Sequence, residues 1–315
     1  MSEHRFFYLS NQLQNPQMQV QNPFKSGYVS IIGEPNVGKS TLLNAMMGEK
    51  LAIVTPKPQT TRNRIPGILT ADSYQIIFLD TPGVLTPKYR LHDQMVKAAY
   101  SAITDADLVL YMIDANRLNS GVEEKILNEL KKAVQQVILV INKIDLIPHL
   151  TLLPIIANYQ EKFPFVEIIP MSATTGDGVS QLHESIVKHL PEGPPYFPPD
   201  QLSDLPERFF VSETIREKIF LRTNQEIPYA SSVVVEEFKE RPNGKIYISA
   251  MLYVERQSQK GILVGKGGKT IKRIGQLARA EIEQFLETTV FLDLRVSVKA
   301  DWRRDERKLK DMGYL

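Results

Sequence analysis

Residues 27–190 alternate short apolar runs with amphipathic segments. The apolar runs are typical of buried strands and fall near 28–32, 65–70, 74–80, 107–114, 137–141 and 166–171. Segments with apolar residues at helical spacing fall near 39–47, 90–104, 122–133, 151–162 and 178–190. Strands that alternate in this way with helices predict a doubly wound α/β domain.

A different pattern follows the proline-rich segment 191–205, which cannot form a helix or a central strand. The pattern beyond it predicts a helix, two strands, two helices and a final strand, at 206–221, 232–238, 246–254, 260–264, 269–287 and 290–298. We therefore expect a smaller α+β domain at 206–300, joined by a linker to an independent α/β domain at 27–190.

The two ends of the chain carry weaker signals. Residues 1–26, rich in Gln and Asn, predict a flexible arm, and an alternative is that Phe6, Phe7 and Tyr8 pack on the body. A C-terminal helix or tail is expected at 301–315. Its start, with charges of both signs, predicts a solvated helix in which Trp302 packs rather than stacks on a base.

Composition narrows the class of protein. With 315 residues, 43% of them hydrophobic and 23% charged, the chain predicts a soluble protein of two domains. It has no cysteine, which excludes disulfides and thiolate metal sites and fits a reducing cytosol. Apolar runs long enough to span a membrane and a signal-peptide pattern are both missing, so we expect a cytoplasmic location.

A glycine-rich loop after the first predicted strand fits the pattern G-x-x-x-x-G-K-[ST] and precedes a predicted helix. We expect the nucleotide to contact Gly33, Glu34, Pro35, Asn36, Val37, Gly38, Lys39, Ser40 and Thr41. The glycines let consecutive N–H groups face a di- or triphosphate at a helix N-terminus. Lys39 would reach the β- and γ-phosphates, and the Ser40 hydroxyl would hold Mg²⁺. The motif predicts a phosphate-binding loop.

A second motif, at the end of a predicted strand, supplies residues for the metal and the γ-phosphate. It consists of Asp80, Thr81, Pro82, Gly83 and Val84. Asp80 would hold Mg²⁺ through water, and the Gly83 N–H would contact the γ-phosphate. In the polar loop at 56–62, Thr61 would complete the Mg²⁺ shell when triphosphate is bound and thereby order the loop. We expect Lys39, Thr61 and Gly83 to act in catalysis.

Two further motifs indicate which base is bound. They are Asn142, Lys143, Ile144 and Asp145, and then Ser172, Ala173 and Thr174, each after a predicted strand. A carboxylate at Asp145 can accept from N1–H and the exocyclic amino group of guanine, and adenine offers no such pair. A backbone N–H of the second motif could meet the guanine O6. The motifs therefore predict GTP and GDP as ligands.

A second glycine-rich loop lies between two predicted helices of the C-terminal half, at Gly265, Lys266, Gly267 and Gly268. Glycine lets a phosphate approach the backbone N–H groups, and the following helix N-terminus favours an anion. Lys269, Lys272 and Arg273 continue a basic cluster, and the segment from Pro206 carries 21 Lys and Arg against 16 Asp and Glu. We expect this loop and cluster to bind RNA, with an affinity that falls with salt.

The motifs resemble those of known proteins. The words G-E-P-N-V-G-K-S-T-L-L-N, Q-T-T-R, D-T-P-G and N-K-I-D are similar to the motifs of translation-factor-class GTPases. The α-β-β-α-α-β half with its G-K-G-G loop resembles a type II KH domain. From Gly27 to Leu315, the chain therefore resembles the Era family of bacterial GTPases. The segments Pro228-Tyr229-Ala230 and Val254-Glu255-Arg256 are also similar to that family.

This resemblance implies a GTPase that binds near the 3′ end of the small-subunit ribosomal RNA and assists small ribosomal subunit assembly. It further implies a fraction of the protein at the periphery of the inner membrane, and we expect a monomer. Two rival interpretations stay open: a KH RNA-binding module without meaningful turnover, and a tRNA-modification role, against which the KH-like half argues.

One departure from the Ras pattern affects the mechanism. Val84 stands where Ras-like enzymes keep a glutamine that orients the attacking water, and valine cannot hydrogen-bond water. Era-like GTPases share this substitution, and in several relatives an asparagine at the position of Asn36 binds K⁺. The resemblance thus implies K⁺ at Asn36, and the alternative is a side chain that ties the loop to itself.

Overall fold

The computed structural model describes residues 23–118, 121–242 and 244–314. The predictions for residues 1–22, and for Asn243 in the turn of the C-terminal half, lie outside the described residues. Within the described ranges, no helix combines the length and the apolar character that crossing a bilayer requires.

A six-stranded sheet forms the centre of the N-terminal domain, in the order β2-β3-β1-β4-β5-β6. Its strands are β1 (Lys25–Gly33), β2 (Ile65–Thr70), β3 (Tyr74–Asp80), β4 (Leu108–Asp114), β5 (Gln136–Asn142) and β6 (Glu167–Pro170). Only the edge strand β2 is antiparallel to its neighbour, and the other pairs are parallel. Their carboxyl ends therefore meet at one edge, where open α/β sheets bind ligands.

Helices cover both faces of this sheet, which confirms the doubly wound α/β prediction. They are α1 (Lys39–Met47), α2 (Arg90–Thr104), α3 (Glu123–Leu130), α4 (Leu152–Lys162) and α5 (Val179–His189). One core contains Leu42 of α1 and Leu182 of α5. The opposite core contains Ile103 of α2 and Ile126 of α3. Because both faces are covered, the central strands are mostly apolar.

The C-terminal domain packs helices on one face of a three-stranded sheet, in the order β7-β8-β9. Its elements are α6 (Glu207–Arg222), α7 (Ile227–Ala230), β7 (Ser232–Glu240), β8 (Ile246–Val254), α8 (Gln257–Val264), α9 (Lys269–Phe285) and β9 (Val290–Val298). Strand β9 runs parallel to β8, which is antiparallel to β7. This is the expected α-β-β-α-α-β order with the additional short helix α7.

The proline-rich segment 191–205, which lies between the two domains in the chain, packs on the first of them. It lies along the N-terminal sheet, where the Gln75 side chain accepts from the N–H groups of Tyr196 and Phe197 at 2.7 and 2.9 Å. Farther along, the Ser203 hydroxyl donates to the Pro66 carbonyl at 2.7 Å. Proline lacks an N–H but keeps its carbonyl, so this segment is held largely through side chains.

The two domains also make direct contact. Lys50, in the loop after α1, forms ion pairs of 2.7 Å with Glu217 of α6 and Glu281 of α9. Lys50 and Glu281 border a cavity of about 1030 Å³ between the domains.

The C-terminal tail is part of this contact rather than a solvated helix. Helix α10 (Glu306–Asp311) begins only after Asp305, whose carboxylate caps it by accepting from two backbone N–H groups. Trp302 is fully buried, as the sequence predicted for its packing, and its Nε1 donates to the Ala230 carbonyl at 2.9 Å. Its ring packs with Leu91 and Met95 of α2. The apolar residues of the tail thus join the C-terminal domain to the N-terminal one.

Candidate nucleotide site and nucleic-acid interface

A cavity of about 370 Å³ opens at the carboxyl ends of β1, β3 and β5. The glycine-rich loop, the segment 53–61 and the two predicted base-binding motifs all contribute to it. Its lining includes Pro35, Asn36, Gly38, Lys39, Ser40, Thr41, Thr61, Gly83, Asn142, Lys143 and Thr174. The structure therefore brings together motifs that are far apart along the chain.

The glycine-rich loop between β1 and α1 packs closely against residues of β4 and β5. A Cβ atom on Gly33 would lie 2.2 Å from the Met112 carbonyl oxygen, and one on Gly38, whose φ is +105°, would lie 2.3 Å from Asn142 Nδ2. Both positions therefore need glycine. The Lys39 ammonium group donates to the carbonyls of Gly33 and Glu34 at 3.2 and 2.8 Å. This arrangement holds a cation at the N-terminus of α1, where a phosphate binds favourably.

Three oxygen-bearing side chains meet beside Lys39. The Ser40 hydroxyl donates to Asp80 Oδ2 at 2.7 Å and lies 2.9 Å from the Thr61 hydroxyl oxygen. Asp80 is fully buried, and its Oδ1 atom has no hydrogen-bond partner within the described part of the chain. Two hydroxyls and a carboxylate are the oxygen ligands that Mg²⁺ prefers, and a buried oxygen without a partner fits a bound cation or its water.

Burial shifts the pKa of both charged groups in this cluster. Desolvation lowers the pKa of Lys39 to about 8, against the opposing attraction of Asp80 and Glu34. Desolvation also raises the pKa of Asp80 to about 6, although hydrogen bonds from Ser40 and Thr61 and the charge of Lys39 favour its ionised form. Each group would gain an opposite charge from a bound phosphate or divalent cation. The site is thus electrostatically prepared for a metal-bound polyphosphate.

Asn142 connects the phosphate side of the cavity to the predicted base side. Its Nδ2 donates to the Val37 carbonyl at 2.7 Å, and its Oδ1 accepts from the Ala173 N–H at 2.9 Å. The Ala173 N–H is therefore occupied, which leaves Thr174, on the cavity wall, as the nearer candidate for a contact with the base. Ser172 is buried and its hydroxyl accepts from the Thr175 N–H, so it braces this loop.

Lys143 and its neighbours form the other wall. The Lys143 ammonium group donates to the Asn36 carbonyl at 2.6 Å and to Asp114 Oδ2 at 2.5 Å. Asp114, at the end of β4, was missed from the sequence, although a carboxylate at the end of a buried strand is a recognisable signal. Ile144 and Asp145 lie in a 3₁₀ turn directly after Lys143, and Asp145 is exposed and not part of the cavity lining.

The D-T-P-G-V motif contributes backbone more than side chains. Thr81 is buried and its hydroxyl donates to the Ile31 carbonyl at 2.7 Å. A Cβ atom on Gly83 would lie 2.6 Å from the backbone of Pro35, so Gly83 approaches the glycine-rich loop closely. The Val84 side chain is fully buried in the core, and its N–H donates to the Gly33 carbonyl at 3.0 Å. Val84 therefore presents no side chain to the cavity, contrary to its place in the predicted site.

The segment 53–61 closes over the cavity. Asn36 Nδ2 donates to the Pro56 carbonyl at 3.1 Å, so this side chain joins the glycine-rich loop to the closing segment rather than to itself. Gln59, with a φ of +62°, places its Oε1 2.9 Å from Nε2 of His92. Burial, together with Arg303 and Arg62, lowers the pKa of His92 to about 4. The ring is therefore neutral at pH 7.

The second glycine-rich loop lies in the C-terminal domain, between α8 and α9. Gly265, Gly267 and Gly268 all have positive φ, and a Cβ atom on Gly267 or Gly268 would meet open space. Glycine is needed there for the backbone conformation, and at Gly265 also because a Cβ would lie 2.2 Å from the Thr270 hydroxyl oxygen. Helix α9 starts directly after the loop, so its N-terminal N–H groups face the same surface.

A groove of about 260 Å³ lies between α9, the helix that follows this loop, and β9. Its floor is apolar and its rim is basic, with Lys272 and Arg279 on the α9 side. Lys266, Lys269 and Arg273 are also exposed next to it. The floor residues, which the sequence analysis did not include, are Ile271, Leu292 and Leu294. The two acids that flank this cluster in sequence are both paired elsewhere, Glu255 with Arg303 and Glu281 with Lys50 and Lys218.

Comparison with known families agrees with both sites. The family described as 50S ribosome-binding GTPase matches residues 28–143, and the family described as KH domain matches residues 226–303. GTPase Era of Geobacter metallireducens is 53% identical over 294 residues, which cover 93% of this chain and 99% of that protein. GTPase Era of Lactobacillus helveticus is 48% identical, with 93% of this chain and 97% of that protein covered.

Solved structures are similar over the same range. An Era variant from Aquifex aeolicus, bound to GDP and AlF4−, has a TM-score of 0.89 at 42% identity and covers 92% of this chain and 99% of its own. Era in complex with MgGDPNP and nucleotides 1506–1542 of 16S ribosomal RNA has a TM-score of 0.90, with the same identity and coverage. Because both matches span nearly the whole chain, the similarity includes the arrangement of the two domains.

Proposed function

The chain belongs to the Era family of GTPases, and from this premise we propose that it is a GTP-hydrolysing switch whose nucleotide state controls its binding to ribosomal RNA. The observation that carries the proposal is the convergence of Lys39, Ser40 and Thr61 on one cavity, with the buried Asp80 bonded to Ser40 behind them. The basic groove next to the Gly265–Gly268 loop lies in the same chain and supplies the second half of the proposal.

In the GTP-bound protein, the backbone N–H groups of residues 36–40 surround the phosphates and Lys39 neutralises the β- and γ-phosphates. Ser40 and Thr61 would hold Mg²⁺ directly and Asp80 would hold it through water; a relative was crystallised with MgGDPNP. Bound Mg²⁺ supplies charge stabilisation to the transferring phosphoryl group. The Gly83 N–H contacts the γ-phosphate, so that its loss on hydrolysis releases this loop.

Guanine is selected by Asp145, which accepts from N1–H and the amino group. Asn142 and Lys143 hold the wall behind it through their bonds to the glycine-rich loop. Thr174 closes the opposite side, where its backbone N–H can meet the guanine O6. This division of roles follows the order of the motifs and the walls of the cavity.

Hydrolysis in this site relies on groups other than a side chain after Gly83, because Val84 faces the core. We assign the positioning of the attacking water to backbone groups of the closing segment. The added positive charge near the phosphates we assign to a K⁺ ion at Asn36. Asn36 already bonds to the Pro56 carbonyl, which places two oxygens of the kind that K⁺ accepts as ligands beside the loop.

The RNA partner is the small-subunit ribosomal RNA near its 3′ end, bound at the groove of the KH domain. The support is a relative in complex with nucleotides 1506–1542 of 16S ribosomal RNA together with MgGDPNP. Because that complex contains a triphosphate analogue, we assign RNA binding to the GTP state. The protein would then assist small ribosomal subunit assembly. We further propose a cytoplasmic monomer with a fraction at the periphery of the inner membrane, and this proposal rests on family membership alone.

Steady-state GTP turnover in KCl and in NaCl, at equal ionic strength, tests the enzymatic part. We expect turnover with GTP and none with ATP, a higher rate in KCl, and loss of the difference in Asn36→Ala. Equal rates in both salts would remove K⁺ and leave the GTPase intact. GTP binding without turnover in either salt would favour the rival, an RNA-binding module that uses the nucleotide only for regulation.

A further inference from the structure

Arg62 is a cation buried between the two domains. Only 4% of it is exposed, and it directly follows Thr61 of the candidate metal site. Its Nη1 donates to the Ser231 carbonyl at 2.8 Å and to the Tyr314 hydroxyl at 3.2 Å. Its Nη2 donates to the carbonyls of Pro228 and Tyr229 at 3.1 and 3.2 Å. One side chain of the GTPase domain therefore binds four oxygens of the other domain and the tail.

Three aromatic rings enclose the same guanidinium group, and we call them the aromatic cage: Phe220, Trp302 and Tyr314. Their centroids lie 5.7 to 5.9 Å from Arg62 Cζ. Burying a charge is costly unless hydrogen bonds and ring faces replace water around it. Burial and the charge of Arg216 indeed act to lower the pKa of Arg62. Four hydrogen bonds and three ring faces replace the water around the guanidinium group, which indicates that the Arg62 side chain occupies one defined position.

A second cation fixes the same segment from its other end. The Lys57 ammonium group donates to the Phe220 carbonyl at 2.5 Å, to the Thr223 carbonyl, and to Asn224 Oδ1 at 3.3 Å. These carbonyls end α6, where the helix dipole favours a positive charge. The segment 57–62 is therefore attached to the KH domain at both ends.

The attachment determines where Thr61 lies. Consecutive Cα atoms are about 3.8 Å apart, so a displaced Arg62 would take Thr61 with it. The Thr61 hydroxyl lies 2.9 Å from that of Ser40. The position of Thr61 at the metal site and the position of Arg62 between the domains therefore depend on each other. The cage also contacts the helix that follows the Gly83 loop, because Trp302 packs with Leu91 and Met95 of α2.

We propose that Arg62 is a positioning residue for GTP hydrolysis: its capture by the aromatic cage and the carbonyls of residues 228–231 holds Thr61 at the metal site. Turnover by the GTPase domain then depends on the KH domain and the tail. This inference rests on the proposed function, since it assigns Thr61 to the Mg²⁺ shell of the GTP state. Loss of GTP and its Mg²⁺ would in return loosen the cage, because coupling between two sites acts in both directions.

The test compares Arg62→Ala and Arg62→Lys with a matched control, Arg64→Ala. Arg64 is an exposed arginine two residues farther on, which pairs with Asp105 on the surface. For each protein we would measure kcat and KM for GTP, the Mg²⁺ concentration that gives half-maximal turnover, and GDP affinity. A role confined to holding the domains together would not change the Mg²⁺ requirement.

We expect Arg62→Ala to lower kcat at least tenfold and to raise the Mg²⁺ requirement several-fold, with GDP affinity changed less than twofold. Arg62→Lys keeps the charge but cannot make four hydrogen bonds, so it should recover only part of kcat. Arg64→Ala should match the wild type. The structure also supplies an optical readout, because Trp302 is the only tryptophan in the chain. Its emission should differ between GDP and a GTP analogue in the wild type and not in Arg62→Ala.

Wild-type kcat and Mg²⁺ dependence in Arg62→Ala would overturn the inference and leave the proposed function standing. A wild-type protein that does not hydrolyse GTP would instead overturn the proposed function. If Arg62→Ala fails to fold, Tyr314→Phe decides, since it removes one acceptor from Arg62 and keeps the ring. A two- to fivefold lower kcat with a raised Mg²⁺ requirement supports the inference, and unchanged values contradict it.

Discussion

The charged residues of the nucleotide site are buried at a cost in free energy that a bound ligand of opposite charge would reduce. Lys39 and Asp80 are both buried, and their mutual attraction offsets only part of the cost. Buried charges of this kind are common at functional sites, where they lower stability in favour of binding. The effect can be measured through the dependence of stability on pH.

Asp80→Asn should therefore stabilise the nucleotide-free protein. Between pH about 4 and about 6 the folded protein holds a proton on Asp80 that the unfolded chain has released, so the free energy of unfolding falls as pH rises through this window. At pH 7.5 the variant should exceed the wild type by roughly 1–3 kcal/mol, and the difference should vanish near pH 4. Urea unfolding at several pH values measures this. Equal stability at pH 7.5 would show that Asp80 is not destabilised by its burial.

Asp145 carries a second prediction at this scale, which concerns the base. Asp145→Asn replaces one acceptor with a mixed donor and acceptor, so preference should shift from guanine towards xanthine, whose C2 carbonyl can accept. Competition between GTP and XTP for a fluorescent nucleotide measures the shift. Because Asp145 is exposed, folding should be unaffected. GTP binding as tight as in the wild type would remove Asp145 from the guanine site.

At the scale of elements, hydrophobic periodicity predicted nearly every strand and helix, since buried strands and amphipathic helices leave a direct pattern in the sequence. Helix α8 is an instructive exception, because it begins at Gln257 and not near 260. The Gln259 side chain accepts from the N–H groups of Glu255 and Arg256 at 2.9 and 3.0 Å and so extends the helix. Helix α7, with Pro228 in its first turn, is too short to show any period.

We propose the Gly265–Gly268 loop as the element on which RNA binding depends. Replacing Lys266 and Gly267 with Asp places two carboxylates where phosphate must approach, so RNA affinity should fall by one to two decades, about 1.4–2.8 kcal/mol. The matched control replaces both residues with Asn, because Asn has the same size and meets the same positive φ at Gly267 without the charge.

Fluorescence anisotropy with a ribosomal RNA fragment at several salt concentrations measures both proteins. The Asp variant should also show a shallower dependence on salt than the wild type, since fewer phosphates are neutralised. An Asp variant that binds RNA normally would place the contact surface elsewhere. If the Asn control lost as much affinity as the Asp variant, backbone strain rather than charge would be responsible.

At the scale of the whole molecule, the motifs in the sequence predicted two functional sites but not the connection between them. Arg62 stands in the sequence as one polar residue of a loop, and its partners are carbonyls and ring faces about 160 or more positions away. Contacts of this kind produce neither a hydrophobic period nor a motif in the sequence. Trp302 was expected to pack, but its position against α2 depends on the tail crossing to the other domain, which local pattern cannot predict.

The central claim is that the nucleotide state controls RNA binding through the contact between the two domains. The affinity for a fragment from the 3′ end of the small-subunit ribosomal RNA, measured at one salt concentration with Mg²⁺ and either a GTP analogue or GDP, tests it most directly. We expect binding at least tenfold tighter with the analogue, and a loss of this ratio in Arg62→Ala. Equal RNA affinity of the wild type in both nucleotide states would contradict the account.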